Sequence, residues 1–107
     1  TSLLRKWIAT EVGFCDAFLP EIRECIFNFC QNGAIYCQNG EIKNCVFVNC
    51  RAKSGAGIQM YGNSKGMIEQ CNFRRCISDF SGGAIDRALG QKITKCTYEA
   101  CKPDNFS

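Results

Sequence analysis

Ten cysteines are the residues of this 107-residue chain best suited to chemistry, and the chain contains no histidine. A nucleophilic cysteine is normally activated by a neighbouring base, usually histidine, so we do not expect a catalytic cysteine. Structural zinc sites use closely spaced cysteine and histidine pairs, and the sequence has no C-x-x-C motif. We therefore predict no catalytic residue, no metal site and no cofactor.

Carboxylates are the second set of candidates, because carbohydrate cleavage uses paired carboxylates and calcium sites use carboxylate oxygens. The acidic residues of this chain are scattered along it. The best grouping is Asp79, Asp86 and Arg87, on either side of the segment Gly82-Gly83-Ala84-Ile85. We keep these three residues as candidates for a ligand site, although solvated surface charge explains them more simply.

Eight of the ten cysteines belong to a repeat with the pattern I-x-x-C-x-[FY]-x-x-C, whose four copies begin 20, 26 and 25 residues apart. Self-similarity at this period is typical of solenoids. Within each copy, short segments alternate inward and outward positions, and glycine and asparagine turns separate them, which favours strands over helices. The sequence thus predicts an all-β fold, a small parallel β-helix of about four to five rungs.

Stacked rungs place equivalent residues directly above one another, about 4.8 Å apart. The repeats therefore predict inward-facing columns that form the core. These columns are Ile22, Ile42, Ile68 and Ile93; Cys25, Cys45, Cys71 and Cys96; Phe27, Phe47, Phe73 and Tyr98; and Cys30, Cys50, Cys76 and Cys101.

The cysteine columns have two interpretations that the sequence leaves open. Reduced cysteine packs as a small buried hydrophobe, whereas an even count at this density is typical of disulfide-rich proteins outside the cell. If disulfides form, pairs within one repeat, such as Cys45 with Cys50, are favoured over column neighbours, whose Cβ vectors are nearly parallel. Cys15 and Cys37 lie outside the columns and could pair with each other.

Small-residue segments follow the repeats, among them Gly82-Gly83-Ala84-Ile85 and the looser Asn32-Gly33-Ala34-Ile35. Their alternation with F-x-x-C, as in Phe73-Arg74-Arg75-Cys76, resembles the GGAI and FxxN repeats of polymorphic outer-membrane-protein-like adhesins, with cysteine in place of asparagine. The resemblance covers residues 20–101 and implies a right-handed, pectin-lyase-like β-helix. It implies no single activity, because such folds occur in lyases, hydrolases, adhesins and inert spacers.

The first thirteen residues differ from the repeats. Leu4, Trp7, Ile8 and Val12 follow helical spacing, so we predict an amphipathic helix over residues 1–13 that caps the first rung. The rungs would then span 14–101 and a tail 102–107, within a single domain of residues 1–107. Alternatively, this helix covers apolar outward positions of the first rungs. The predicted interface comprises Leu4, Trp7, Ile8, Ile26, Phe29, Val46 and Val48.

The net charge of +3 shows no basic stripe along the sequence, so nucleic-acid binding is not predicted, and no apolar run is long enough to span a membrane. Unpaired strand edges at the end of a coil invite pairing with another chain. We expect a non-enzymatic, structural or adhesive protein, secreted or on the cell surface, that stacks end to end as a homo-oligomer or polymer, or joins a larger surface assembly. A glycan or protein partner is expected as well. The alternative is a minimal carbohydrate-binding or carbohydrate-cleaving β-helix.

Overall fold

The computed structural model describes residues 3–5, 8–10, 14–18, 21–62, 66–87 and 91–105, with side chains described from residue 21 onward. These residues contain sixteen short strands and no helix. In chain order the strands are β1 (Leu3–Arg5), β2 (Ile8–Thr10), β3 (Phe14–Phe18), β4 (Glu21–Arg23), β5 (Ile26–Asn28), β6 (Ile35–Gln38), β7 (Glu41–Lys43), β8 (Val46–Val48), β9 (Arg51–Ser54), β10 (Ile58–Tyr61), β11 (Met67–Glu69), β12 (Asn72–Arg74), β13 (Ile77–Ser81), β14 (Ile85–Arg87), β15 (Lys92–Thr94) and β16 (Thr97–Glu99).

The strands stack into three longer sheets and one short sheet, and every strand pair is parallel. The sheet orders are β1-β4-β7-β11-β15, β16-β12-β8-β5-β2, β14-β10-β6-β3 and β13-β9. Each neighbour within a sheet lies one turn of the chain further on, so the chain winds as a parallel coil of five rungs. This confirms the predicted all-β parallel β-helix.

The described residues of the first rung form β-strands. Leu4 of β1 lies beside Ile22 of β4, and Ile8 of β2 lies beside Ile26 of β5. The predicted capping helix is therefore wrong for the six residues of β1 and β2, and Trp7 lies outside the described residues. A short isolated helix is marginal in water, whereas strand pairing satisfies the backbone groups at a sheet edge.

This pairing also excludes the alternative position of the same segment. Because β2 extends the sheet of β5 by one strand, its residues do not lie across the outer face of that sheet. The described part of the N-terminal segment thus acts as a rung of the coil.

The inward columns stack in register. Phe27, Phe47, Phe73 and Tyr98 are backbone partners along one sheet, and Ile22, Ile42, Ile68 and Ile93 along another. The aromatic rings stack nearly parallel, with centroids 5.0, 4.7 and 5.4 Å apart along the column. The column residues from Ile22 to Cys76 are 0–1% exposed, whereas those of the last rung are only partly buried. Dispersion and apolar burial along these columns hold the rungs together.

The residue before each of the eight column cysteines has a left-handed backbone conformation, with φ between 53° and 58°. Backbone N–H groups of these corners donate to carbonyls of the next rung, for example from Asn49 to Arg74 over 2.9 Å. The corner turns the chain so that the cysteine points inward, while the side chain of the preceding residue is exposed or half-buried. The corner residues are Glu24, Phe29, Asn44, Asn49, Gln70, Arg75, Lys95 and Ala100.

Candidate functional site

The column cysteines contribute to packing at the corners of the coil. Each thiol of the inner rungs lies near a backbone carbonyl of the preceding rung, as Cys45 does at 3.7 Å from the Ile22 oxygen and Cys50 at 3.7 Å from the Phe27 oxygen. A thiol is a weak donor that occupies little space, so cysteine suits the inside of a narrow coil, where it lies against strand carbonyls.

The structure holds these thiols reduced. All nine cysteines whose side chains are described are free, which includes Cys45 and Cys50 of the favoured within-repeat pair. Cys37 is also free and buried, and the side chain of Cys15 lies outside the described residues. The thiols that interact are column neighbours, such as Cys71 with Cys45 and Cys96. Among the described residues no cluster of three or more cysteines and carboxylates is suited to a metal ion.

The two cysteines of the last rung differ from the rest in reactivity. A hydrogen bond from Cys76 lowers the pKa of Cys101 to about 6, and one from Cys71 lowers the pKa of Cys96 to about 7. Both thiols are partly exposed. Burial raises the pKa of Cys37 to about 12, and the pKa of Cys71 is raised by its hydrogen bonds to its column neighbours. Hydrogen bonds from Cys71 and Cys76 lower the pKa of Cys45 and Cys50 too, but these two thiols are buried. The partly exposed thiols of lowered pKa therefore lie at one end of the coil.

The predicted interface divides between described and undescribed side chains. Ile26 is 42% and Phe29 51% exposed, and Val46 and Val48 are partly buried on the outer face of β8. Ile26 and Val46 are register partners, so they form a short apolar column on the outside of the sheet. The side chains of Leu4, Trp7 and Ile8 lie outside the described residues.

The structure places the candidate ligand residues on two strands of different sheets. Asp79 lies in β13 and Asp86 in β14, which belong to different sheets, and Asp86 does not line the groove that Asp79 borders. Burial and the nearby Asp104 raise the pKa of Asp86. The Arg87 guanidinium donates to the backbone oxygen of Gln91 over 2.6 Å, so part of its donor capacity is used within its own chain segment.

A groove that the sequence did not suggest runs along another corner of the coil. This basic groove, as we name it, has a volume of about 430 Å³ and is lined by Arg51, Arg75 and Lys102 together with Phe29, Asn49 and Ile77. The three cationic residues are exposed. Within the described residues none of them takes part in an ion pair, whereas the nearby Arg74 pairs with Glu99 at 3.2 Å.

Two neighbouring columns build the basic groove. One is the corner column of left-handed residues, which includes Phe29, Asn49 and Arg75. The other runs through Arg51 and Lys102, joined by parallel bridges from one rung to the next. A sequence signal for this site does exist, because a residue next to the second cysteine of three successive repeats is cationic, but the three residues are far apart in the chain.

Comparison with known proteins identifies the architecture. Residues 12–106 match a protein family described as "Right handed beta helix region". No curated protein and no solved structure gives a significant match. Proteins with this domain are often extracellular or on the cell surface. In the part of the chain that the structure describes, no helix could cross a membrane.

Proposed function

The chain belongs to the right-handed β-helix family, and we propose that it is a secreted or surface-exposed structural protein of the adhesin type that assembles by end-to-end stacking. The proposal includes the adhesin-like character of its repeats and a non-enzymatic role. Regular core columns occupy the interior, and repeat arrays of this kind commonly serve as extended binding or spacer elements.

One observation carries the stacking proposal, namely the exposure of core side chains on the fifth rung. Ile93, Cys96 and Tyr98 stack in line with residues that are 0–1% exposed in the preceding rungs, yet they are only partly buried themselves. Thr97 donates its N–H to Cys71, and the Glu99 carbonyl accepts from Arg75. Peptide groups alternate direction along a strand, so the N–H and C=O groups of Tyr98 point away from the fourth rung. They can therefore pair with a further rung. We propose that this rung belongs to a second copy.

The test replaces an inward residue of β15 with a charge. We expect Ile93→Lys to abolish association, because a lysine at the exposed end of the core places a charge where the second copy must pack. Thr94→Lys adds the same charge to an exposed outward position of the same strand and serves as the matched control. Sedimentation velocity over a concentration series, with circular dichroism to verify folding, measures both.

Wild type and Thr94→Lys should show concentration-dependent association, and Ile93→Lys should remain monomeric. A wild-type protein that stays monomeric at every concentration would exclude stacking. Association of folded Ile93→Lys equal to that of the wild type would exclude this rung as the interface.

Carbohydrate cleavage at Asp79, Asp86 and Arg87 is less well supported by the geometry. Cleavage needs two carboxyl groups that flank one bond, and Asp79 and Asp86 lie in different sheets. For carbohydrate binding without cleavage, the basic groove is the better candidate site. It lies at a different corner of the coil.

A further inference from the structure

Two thiols lie in the fifth rung, on the surface where we propose that a second copy packs. Cys96 follows β15 and Cys101 follows β16, and both are partly exposed. Each stacks in a column on a cysteine that is 0% exposed, Cys71 in one column and Cys76 in the other. Their sulfurs lie 3.9 and 3.7 Å from backbone carbonyl oxygens of the fourth rung. The two thiols therefore belong to the core columns and are still accessible to solvent.

These two thiols are also the accessible nucleophiles of the described chain. The thiolate is the form that attacks a disulfide. Hydrogen bonds from the buried column neighbours lower the pKa of Cys96 to about 7 and that of Cys101 to about 6. An exposed lysine adjoins each of them in the chain, Lys95 and Lys102, and adds positive charge that favours an anionic reagent. The other seven described cysteines are buried.

Neither thiol has a suitable partner within the chain for a disulfide. The three residues of β16 separate Cys96 from Cys101 by roughly 10 Å or more, whereas a disulfide needs Cα atoms about 4.4–6.8 Å apart. The column neighbours Cys71 and Cys76 have nearly parallel Cβ vectors. Hydrogen bonds to their own column neighbours raise the pKa of both, so they stay protonated. A mixed disulfide at Cys96 or Cys101 would therefore persist, because no thiol is placed to resolve it.

A group attached to either sulfur would occupy the space that a second copy needs. Successive rungs lie only about 4.8 Å apart. Ile93 and Tyr98 of the same rung are partly buried core residues on which the inward side chains of the next rung would pack. A substituent as large as a tripeptide on a neighbouring sulfur cannot fit between two rungs, and overfilled cores are destabilised.

We propose that Cys96 and Cys101 exchange with a low-molecular-weight disulfide, and that the mixed disulfide prevents a second copy from stacking on the fifth rung. The cysteine thiolate forms a bond to one sulfur of the small disulfide, whose own S–S bond breaks. The other half leaves as a thiolate and takes up the proton that the cysteine released. The protein sulfur is oxidised and the leaving sulfur is reduced, and a small thiol reverses the step. This control of assembly rests on the proposed end-to-end stacking.

The experiment treats dilute folded protein with glutathione disulfide. Reduced glutathione is the matched control, because it carries the same charged peptide but no S–S bond. Mass spectrometry of the intact protein and of its peptides locates the adducts, and sedimentation velocity over a concentration series measures association. The variants are Cys96→Ser, Cys101→Ser and the double variant, with circular dichroism to verify folding. Each single variant is the control for the other, because it keeps one of the two thiols.

Among the described cysteines, we expect adducts on Cys96 and Cys101 alone. Each single variant should lose the adduct at its own position, and the double variant should gain neither adduct and still associate after the treatment. Modified wild-type protein should have a dissociation constant for stacking at least about tenfold higher than that of unmodified protein. Dithiothreitol should restore association. Exchange should also slow as the protein concentration rises, because the second copy covers the thiols.

Three results would overturn this inference. The first is that neither Cys96 nor Cys101 of the dilute protein gains an adduct. The second is that the adducts are spread equally over the buried cysteines, which indicates exchange in the unfolded chain. The third is that modified protein associates as tightly as unmodified protein. In all three cases the stacking of unmodified protein is unaffected. Unmodified protein that stays monomeric at every concentration would instead overturn the proposed function and, with it, the control of stacking.

Discussion

The inward and outward positions of the same rungs follow opposite rules. Along the inward column, the aromatic residue is Phe27, Phe47 and Phe73 in three successive rungs and Tyr98 in the next, with rings stacked within 5.4 Å. Along the outward corner column, the equivalent residues are Phe29, Asn49, Arg75 and Ala100. The inward positions all face the same environment, the narrow core of the coil, so one residue type suits them all. The outward positions face solvent, and their variation builds a groove with chemical character.

This difference indicates where the two kinds of information lie. Repetition along the chain reports the fold, because each repeat must match its neighbours above and below. Departure from repetition at exposed positions reports what the surface contacts, because packing places no demand there. The predictions below test whether the two sets of positions can be separated.

The largest expected effect is at the inward aromatic column. We expect Phe47→Ala to lower the free energy of unfolding by about 3–5 kcal/mol, because it removes a fully buried ring stacked on two others and leaves a cavity. Urea unfolding measured by circular dichroism tests this. Phe47→Leu is the milder variant, for use if the alanine variant does not fold.

The control for Phe47 is on the outside of the same rung. Arg51→Gln changes an exposed residue that has no ion pair within the described part of the chain, so its effect should stay within about 0.5 kcal/mol. Equal destabilisation by Phe47→Ala and Arg51→Gln would contradict the division between inward and outward positions.

A smaller effect is expected within one cysteine column. Cys50→Ser should lower the free energy of unfolding by about 1–3 kcal/mol, since the hydroxyl is buried where the thiol is 0% exposed. Cys101→Ser lies in the same column but is partly exposed, so its cost should be clearly smaller. Thermal or urea unfolding of both variants provides the comparison. A larger loss for Cys101→Ser would show that the fifth rung is packed as tightly as the third.

The repeats in the sequence predicted the rungs and the core columns of the fold. The I-x-x-C-x-F-x-x-C pattern located the rungs and the columns from Ile22 to Cys101, since stacking requires equivalent residues at equivalent places. The first rung was missed because Ala9 stands in register with Phe27, and the spacing of Leu4, Trp7 and Ile8 imitates a helix. Local spacing there indicated a helix, but pairing with β4 and β5 determines the conformation.

The basic groove was missed for the opposite reason. Arg51, Arg75 and Lys102 each lie next to the second cysteine of a repeat, but they are far apart in the chain, and only the winding of the coil brings them to one corner. The proposed site of Asp79, Asp86 and Arg87 relied on closeness in sequence, and the structure places Asp79 in β13 and the other two residues in β14, which belongs to a different sheet. Sites of a coil are formed across rungs, so sequence neighbours are poor guides to them.

The measurement that most directly tests the account is native alkylation of the thiols, followed by mass spectrometry of the peptides. In dilute, unassociated protein, the described cysteines Cys96 and Cys101 should react in the native state, and the other seven described cysteines only after unfolding. Because the pKa of Cys101 is lowered to about 6 and that of Cys96 to about 7, their alkylation rates should rise from pH 5 to about pH 8, as the thiolate fraction grows, and then level off. Equal labelling of Cys50 and Cys101 in the folded protein, or disulfides in place of free thiols in the columns, would contradict the stacked, reduced core on which the account depends.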